Sequence, residues 1–286
     1  NEGLARIASD GLSLYFTSDR PGGFGEYDLY VASRTTVRDE WQSPENLGSN
    51  INSSEWDYWP SISADGLTLY FCSGQPGGYG GADICHAMRP TRSDPWSSAE
   101  NLGVPINTSG HETAPYISAD GRELYFASSR SGLWALYLSR RESMHDEWGE
   151  PVRLVLLNSA HETNGAGASL SADGLTVFLQ SERPGGFGNF DIYMATRKGK
   201  DADWSVPVNL GPPVNTQYAE LCPSISFDGS TLYLCDHPFR ELRPGGVGGG
   251  DIWQASVVPT VDFNGDGAID CLDICDLVEQ DRKSTR

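Results

Sequence analysis

A tetrapeptide close to Ser-Ala-Asp-Gly occurs five times. Its aspartates are Asp10, Asp65, Asp120, Asp173 and Asp228, spaced by 55, 55, 53 and 55 residues. A fixed period of this size predicts one supersecondary unit per repeat, each unable to bury its own faces without a neighbour. The rest of the repeat keeps phase with the aspartate. An apolar run follows it, as in Leu14-Tyr15-Phe16, Leu69-Tyr70-Phe71 and Leu124-Tyr125-Phe126. A glycine-rich loop comes next, Arg20-Pro21-Gly22-Gly23-Phe24-Gly25, with copies at 75–80, 183–188 and 243–248. Then come a short run such as Asp28-Leu29-Tyr30, a lone Trp at 41, 96, 148 or 204, and Asn-Leu-Gly at 46–48, 101–103 and 209–211.

Each unit reads as four short strands, here called A to D. An Asp-Gly turn between two apolar runs is a hairpin signal, so A and B pair around it. No helical periodicity is visible before residue 262. Four antiparallel strands repeated five times predict an all-β, five-bladed β-propeller. Blade five has Pro259 where the repeat expects Trp. Its outer strand is therefore expected to be missing, with a replacement upstream of Asn1.

The repeated Pro-x-Ile-Ser-x-Asp-Gly, Leu-Tyr-Phe-x-Ser and Arg-Pro-Gly-Gly-x-Gly-x-x-Asp-Ile-Tyr resemble the WD40-like propeller repeat of the periplasmic TolB type. The resemblance covers about residues 3–257. It implies an extracellular or periplasmic propeller, residues 1–257, followed by a separate segment, residues 258–286.

Composition narrows the partners. Lys and Arg number 20 against 39 Asp and Glu, a net charge of −19. Phosphate neutralisation needs clustered cations, so a nucleic-acid ligand is not expected. No run approaches 18 apolar residues, so no membrane-spanning helix is expected.

Repeated residues are read first as structural. The turn aspartates shape turns, the strand-C aspartates bond their own blade, and the tryptophans pack between blades. The face carrying the D–A and B–C loops holds two further rings. Glu2, Asp57, Glu112 and Glu220 stand eight residues before the turn aspartates, with Gly165 breaking the series in blade four. Arg20, Arg130 and Arg183 stand ten residues after them, with Gln75 in blade two and Arg243 displaced by an insertion. These rings either knit neighbouring blades together, since Arg forks suit carboxylates, or form a polar channel mouth. Trp56, Tyr58, Trp59, Tyr116 and Trp134 offer aromatic faces for sugar rings in that mouth. The expected ligand is a carbohydrate, a cell-wall element or a protein, bound without catalysis. The alternative is a five-bladed glycosidase of the arabinanase or levansucrase type, with Asp57, Glu112 and Glu220 as carboxylates around the channel. Blade three has a shorter B–C loop carrying Trp134, and this break in symmetry marks the sector where a specific ligand is expected.

Cys222 and Cys235 flank the blade-five turn. A two-residue turn would oppose them and allow a cross-strand disulfide, whereas a bulge would separate them. Cys72 and Cys85 pose the same choice in blade two, and free buried thiols are the alternative for both.

After Pro259, Asp262, Asn264, Asp266, the Ala268 carbonyl, Asp270 and Asp273 stand at the spacing of a Ca²⁺ loop, with Gly267 at its turn. This resembles one calcium repeat of a type I dockerin. The resemblance implies a helix over 271–280 and a cohesin-type partner.

Overall fold

The computed structural model describes residues 1–158, 167–236, 243–245, 251–259 and 274–280. Each repeat begins at its turn. In blade two, the Asp65 carboxylate accepts the Leu67 amide at 2.9 Å and the Ser63 hydroxyl at 2.5 Å. Gly66 stands there at φ +77°, a left-handed conformation that costs glycine little. The apolar run that follows is buried on both faces, because each blade is covered by a neighbour on either side. Leu14, Tyr15 and Phe16 are all nearly inaccessible.

The result is five four-stranded antiparallel sheets, the five-bladed propeller expected from the period. Blade one holds β1 (Glu2–Ile7), β2 (Ser13–Ser18), β3 (Asp28–Ser33) and β4 (Glu45–Asn46). Blade two holds β5 (Asp57–Ile62), β6 (Thr68–Ser73), β7 (Asp83–Met88) and β8 (Glu100–Asn101). Blade three holds β9 (Glu112–Ile117), β10 (Glu123–Ser128), β11 (Ala135–Arg140) and β12 (Val152–Arg153). Blade four holds β13 (Ala168–Leu170), β14 (Thr176–Ser181), β15 (Asp191–Thr196) and β16 (Val208–Asn209). Blade five holds β17 (Glu220–Ile225), β18 (Thr231–Asp236), β19 (Ile252–Pro259) and β20 (Ile274–Gln280).

The first strand of every blade is innermost. β1 packs on β5, β5 on β9, β9 on β13, β13 on β17 and β17 on β1, which closes the ring. Five apolar cores lie between blades. One joins Tyr15 and Leu29 of blade one to Leu69, Phe71 and Trp96 of blade two. Trp148 and Trp204 fill the same place in the next two interfaces, as expected for an interblade residue. A guanidinium covers each indole: Arg34 over Trp41, Arg89 over Trp96 and Arg141 over Trp148, all at 4.2 Å, and Arg197 over Trp204 at 4.5 Å. Each cation thus closes the outer end of an interblade core over an indole face.

Two expectations about blade five are corrected. Its outer edge is not open, and residues 274–280 are not helical. β20 pairs antiparallel with β19, from Gln254↔Gln280 to Pro259↔Ile274. An unpaired β19 would present a row of open N–H and C=O groups, and the following chain satisfies that row. The calcium residues Asp262, Asn264, Asp266, Ala268, Asp270 and Asp273, together with Cys271, lie outside the described residues.

The disulfide expectations are also resolved. Cys72, Cys85, Cys222 and Cys235 are buried free thiols. In blade two the pairs are Phe71↔Cys85 and Cys72↔Ile84, one step out of register for a bond. In blade five Leu221, not Cys222, opposes Cys235, because the register slips between Leu221 and Ser224. That slip is a bulge, and it recurs in β1, β5 and β9. Leu4, Trp59, Ala114 and Cys222 adopt φ of +56°, +51°, +50° and +55° there. Side chains beyond glycine rarely hold this conformation, so four copies at one phase mark a designed kink in the innermost strands.

Candidate binding site at the channel mouth

The carboxylate ring sits at the start of the innermost strands, where each D–A loop arrives. Asp57, Glu112 and Glu220 are all 0 % exposed. Each is bonded by its own arriving loop, although Asp57 Oδ1 has no hydrogen-bond partner among the described residues. Asp57 accepts the Ser53 amide at 2.7 Å and its hydroxyl at 3.0 Å. Glu112 accepts the Thr108 amide and hydroxyl, both at 2.8 Å, and the Ser128 hydroxyl at 2.6 Å. Glu220 accepts the Thr216 amide at 3.0 Å and the Arg243 guanidinium at 2.9 Å. Burial, then the nearby Asp28, push the Asp57 carboxyl up from its ordinary value. Glu2 pairs with Arg20 and keeps partial exposure.

The arginine ring stitches the same loops. Arg130 donates to the Ser128 hydroxyl, and to the Pro105 and Ile106 carbonyls of the preceding loop. Arg183 donates to Ser181 Oγ at 3.0 Å and to the Leu157 carbonyl at 2.9 Å. The rings therefore serve mainly to hold loops onto strands, and three of their four carboxylates do not face the channel. A second ladder was not singled out from sequence. Asn52, Asn107, Asn158 and Asn215 each bridge the N–H and C=O of one strand-C residue, as Asn52 does with Leu29 at 2.8 and 3.1 Å. Its signal was present in the recurring Ile51-Asn52, Ile106-Asn107, Leu157-Asn158 and Val214-Asn215.

With the rings withdrawn, the channel mouth is apolar and aromatic. A cavity of about 230 Å³ opens there, its walls including Leu4, Tyr58, Trp59, Phe190, Leu221 and Cys222. The kinked residues Leu4, Trp59 and Cys222 line it directly. On its rim, three half-buried rings gather around a fourth, Tyr58. Trp56 stacks on Tyr58 at 5.1 Å and 20°, Tyr27 tilts onto Tyr58 at 5.2 Å, and Trp59 meets Tyr58 edge-on at 6.0 Å. Tyr27 comes from blade one and was not foreseen. It joins the group because a parallel bridge pairs it with Trp56 across the blade boundary.

The other expected aromatics lie elsewhere. Trp134 meets the exposed His111 at 6.0 Å, a smaller patch in blade three. Tyr116 is deeper: its hydroxyl donates to the Leu170 carbonyl at 2.8 Å, and Arg6 lies over its ring at 5.4 Å. Arg6 is 4 % exposed and donates to the Ala168 carbonyl at 2.7 Å and to the Pro223 carbonyl. It thus spans from β1 to β13 and β17. Among the described residues no carboxylate pairs with it, and burial holds its basicity below the ordinary value.

Blade five breaks the repeat at the mouth. Asp236 stands where the other blades have Ser18, Ser73, Ser128 and Ser181. It is 2 % exposed, and neither carboxyl oxygen has a hydrogen-bond partner among the described residues. Burial, with the Asp251 and Glu220 carboxylates nearby, pushes it up to about 6, against the pull of Trp253 and Arg243. A raised carboxyl favours the folded state least when ionised. Stability is therefore lost as pH rises through about 6, and regained as pH falls toward the unfolded value of 3.8. Asp236→Ser is expected to stabilise the protein by about 1–2 kcal/mol at pH ~8 and by almost nothing at pH ~4. Urea unfolding at both pH values checks this, and an equal gain at both would refute it.

Among the described residues no group of three or more His, Cys, Asp or Glu is placed to hold a metal, and no helix is long and apolar enough to cross a membrane.

No family model matches the chain, and no curated protein does. Solved structures do. TolB from Acinetobacter baumannii superposes with a TM-score of 0.52 at 16 % identity, over 90 % of this chain and 51 % of its own. This chain thus spans about half the length of that protein. A putative TolB from Agrobacterium tumefaciens gives 0.54 at 16 %, over 90 % and 76 %. The catalytic domain of a Coprinopsis cinerea GH62 α-L-arabinofuranosidase gives 0.59 at 12 %, over 90 % of both chains. At these identities the likeness is one of fold, and that fold carries unrelated activities.

Proposed function

We propose that this is an extracytoplasmic, non-catalytic binding propeller that takes a carbohydrate on the D–A/B–C face, beside the channel mouth. The observation that carries the reading is the four-ring platform of Tyr27, Trp56, Tyr58 and Trp59 on the rim of an apolar cavity. Aromatic faces give large contact area at little entropic cost. The likeness to TolB-type propellers supports an extracellular or periplasmic location, and a protein or cell-wall ligand remains within the same reading. Against the glycosidase alternative, Asp57, Glu112 and Glu220 are each enclosed by their own loop, whereas a general acid and its partner must reach a glycosidic bond.

A soluble polysaccharide panel tests this. Binding to one member is expected without release of reducing ends, and Trp56→Ala or Tyr58→Ala is expected to weaken it at least about tenfold. Reducing-end release that disappears in Glu112→Ala would establish the hydrolase instead. Binding unchanged in both aromatic variants would move the site off the platform.

The reading includes Ca²⁺ held by Asp262, Asn264, Asp266, the Ala268 carbonyl, Asp270 and Asp273. It also includes a cohesin-type partner for that segment. The spacing of the oxygen ligands supports the metal. Calorimetric titration of the chelated protein with Ca²⁺ is expected to show one site, abolished in Asp262→Ala. A flat titration would remove both parts.

A further inference from the structure

We propose that Cys222 and Cys235 form a thiol–disulfide exchange site opening into the channel cavity, with Cys222 as the attacking sulfur and Cys235 as the resolving one. This goes beyond ligand binding at the aromatic rim and does not depend on it.

Three observations carry it. The two thiols sit on adjacent strands, at the β17 bulge, and both line the cavity. The β17 bulge places Cys222 there: at φ +55° it leaves the regular ladder, and its amide is held by Gln180 Oε1 at 2.7 Å. The surroundings are unequal. Burial opposes ionisation at Cys222, but the bond with Cys235 and the cation of Arg6 draw it below the ordinary thiol range. The bond with Cys222, burial and the neighbouring Asp236 drive Cys235 well above it. Of two neighbouring thiols the more acidic one supplies the attacking sulfur in exchange, and the other resolves.

The chemistry balances with a small organic disulfide as oxidant. The Cys222 thiolate attacks one sulfur of R–S–S–R, forming a Cys222–S–S–R bond and expelling RS⁻. Cys235 gives its proton to that thiolate or to water and attacks the Cys222 sulfur, expelling the second RS⁻. Two protein thiols are oxidised to one disulfide, and R–S–S–R is reduced to two thiols.

Blade two supplies an internal comparison. Cys72 and Cys85 are equally buried on neighbouring strands, but neither lines the cavity. Burial pushes Cys72 well above its ordinary value and Cys85 up to about 12.

The test treats native protein with dipyridyl disulfide and maps peptides over time. The expected result is a Cys222–Cys235 cross-link, two hydrogens lighter, formed at least about tenfold faster than any change at Cys72 or Cys85. Cys235→Ser is expected to retain one pyridylthio group on Cys222. Should that variant fail to fold, the wild-type map decides alone. Cys222 and Cys235 staying reduced while urea-unfolded protein reacts fully would overturn the proposal. So would reaction at Cys72 and Cys85 at the same rate.

Discussion

Gly80→Ala is expected to cost about 3 kcal/mol or more, because its methyl group would be forced into a backbone that cannot retreat. A Cβ at Gly80 would lie 1.8 Å from the Gly110 carbonyl oxygen and 2.7 Å from that of Thr108. Both belong to the next blade's arriving loop. The Gly110 carbonyl accepts the Gly81 amide at 3.1 Å, the Glu112 amide bonds the Ala82 carbonyl at 2.8 Å, and the Thr108 amide is held by Glu112. The closeness is built in, since Gly25 and Gly188 meet Glu55 and Tyr218 carbonyls at 1.7 and 1.8 Å. Gly77 provides the contrast. It holds φ +95° but meets nothing within 4 Å, so Gly77→Ala should lose only about 1 kcal/mol to backbone strain. Urea midpoints of both variants measure this. Equal losses would mean that turn conformation, not blade-to-blade contact, explains the glycine.

Glu123→Gln is expected to be comparably damaging, at about 3–5 kcal/mol, since it leaves a buried guanidinium without a counter-charge. Glu123 is 3 % exposed and accepts Arg197 at 2.6 and 3.2 Å and Arg140 at 2.9 Å. The Arg197 side chain is wholly buried and crosses from blade four. Burial raises the Glu123 carboxyl, but Arg197 and then Arg140 more than offset this and hold it below the ordinary 4.5. A depressed carboxyl contributes stability that is fully present above 4.5 and is lost as pH falls through the folded value. The wild type should therefore lose stability on the acid side of 4.5, with a flatter acid limb in Glu123→Gln. Thermal unfolding between pH ~3 and ~7 gives the comparison, and parallel curves would show that another group controls acid unfolding.

The blades were legible because one short period carries turn, buried run and glycine loop together. The interblade tryptophans and the strand-C aspartates followed from being repeated. Asp28 indeed accepts the Phe24 and Gly25 amides of its own blade. The acidic ring is legible as a recurring position, but its enclosure is not. Whether a carboxylate faces a channel or its own loop depends on residues four positions away, such as Ser53 and Thr108, whose role appears only once the loop is folded. The platform was legible as Trp56, Tyr58 and Trp59, but Tyr27 belongs to another repeat unit and joins through a bridge between blades. Asp236 and Arg6 are not legible from the period, because each departs from its repeat at a single position. The β20 edge escaped because it lies outside the period, where the dockerin-like spacing implied a helix.

The Arg6 bar has a consequence for the shape of any ligand. It runs from β1 to carbonyls on β13 and β17 and rests on a ring from β9, so four of the five innermost strands meet in one buried knot. Such a knot is expected to close the axis to a threading polymer, so a ligand at this mouth is expected to offer a terminus, a side branch or a bend.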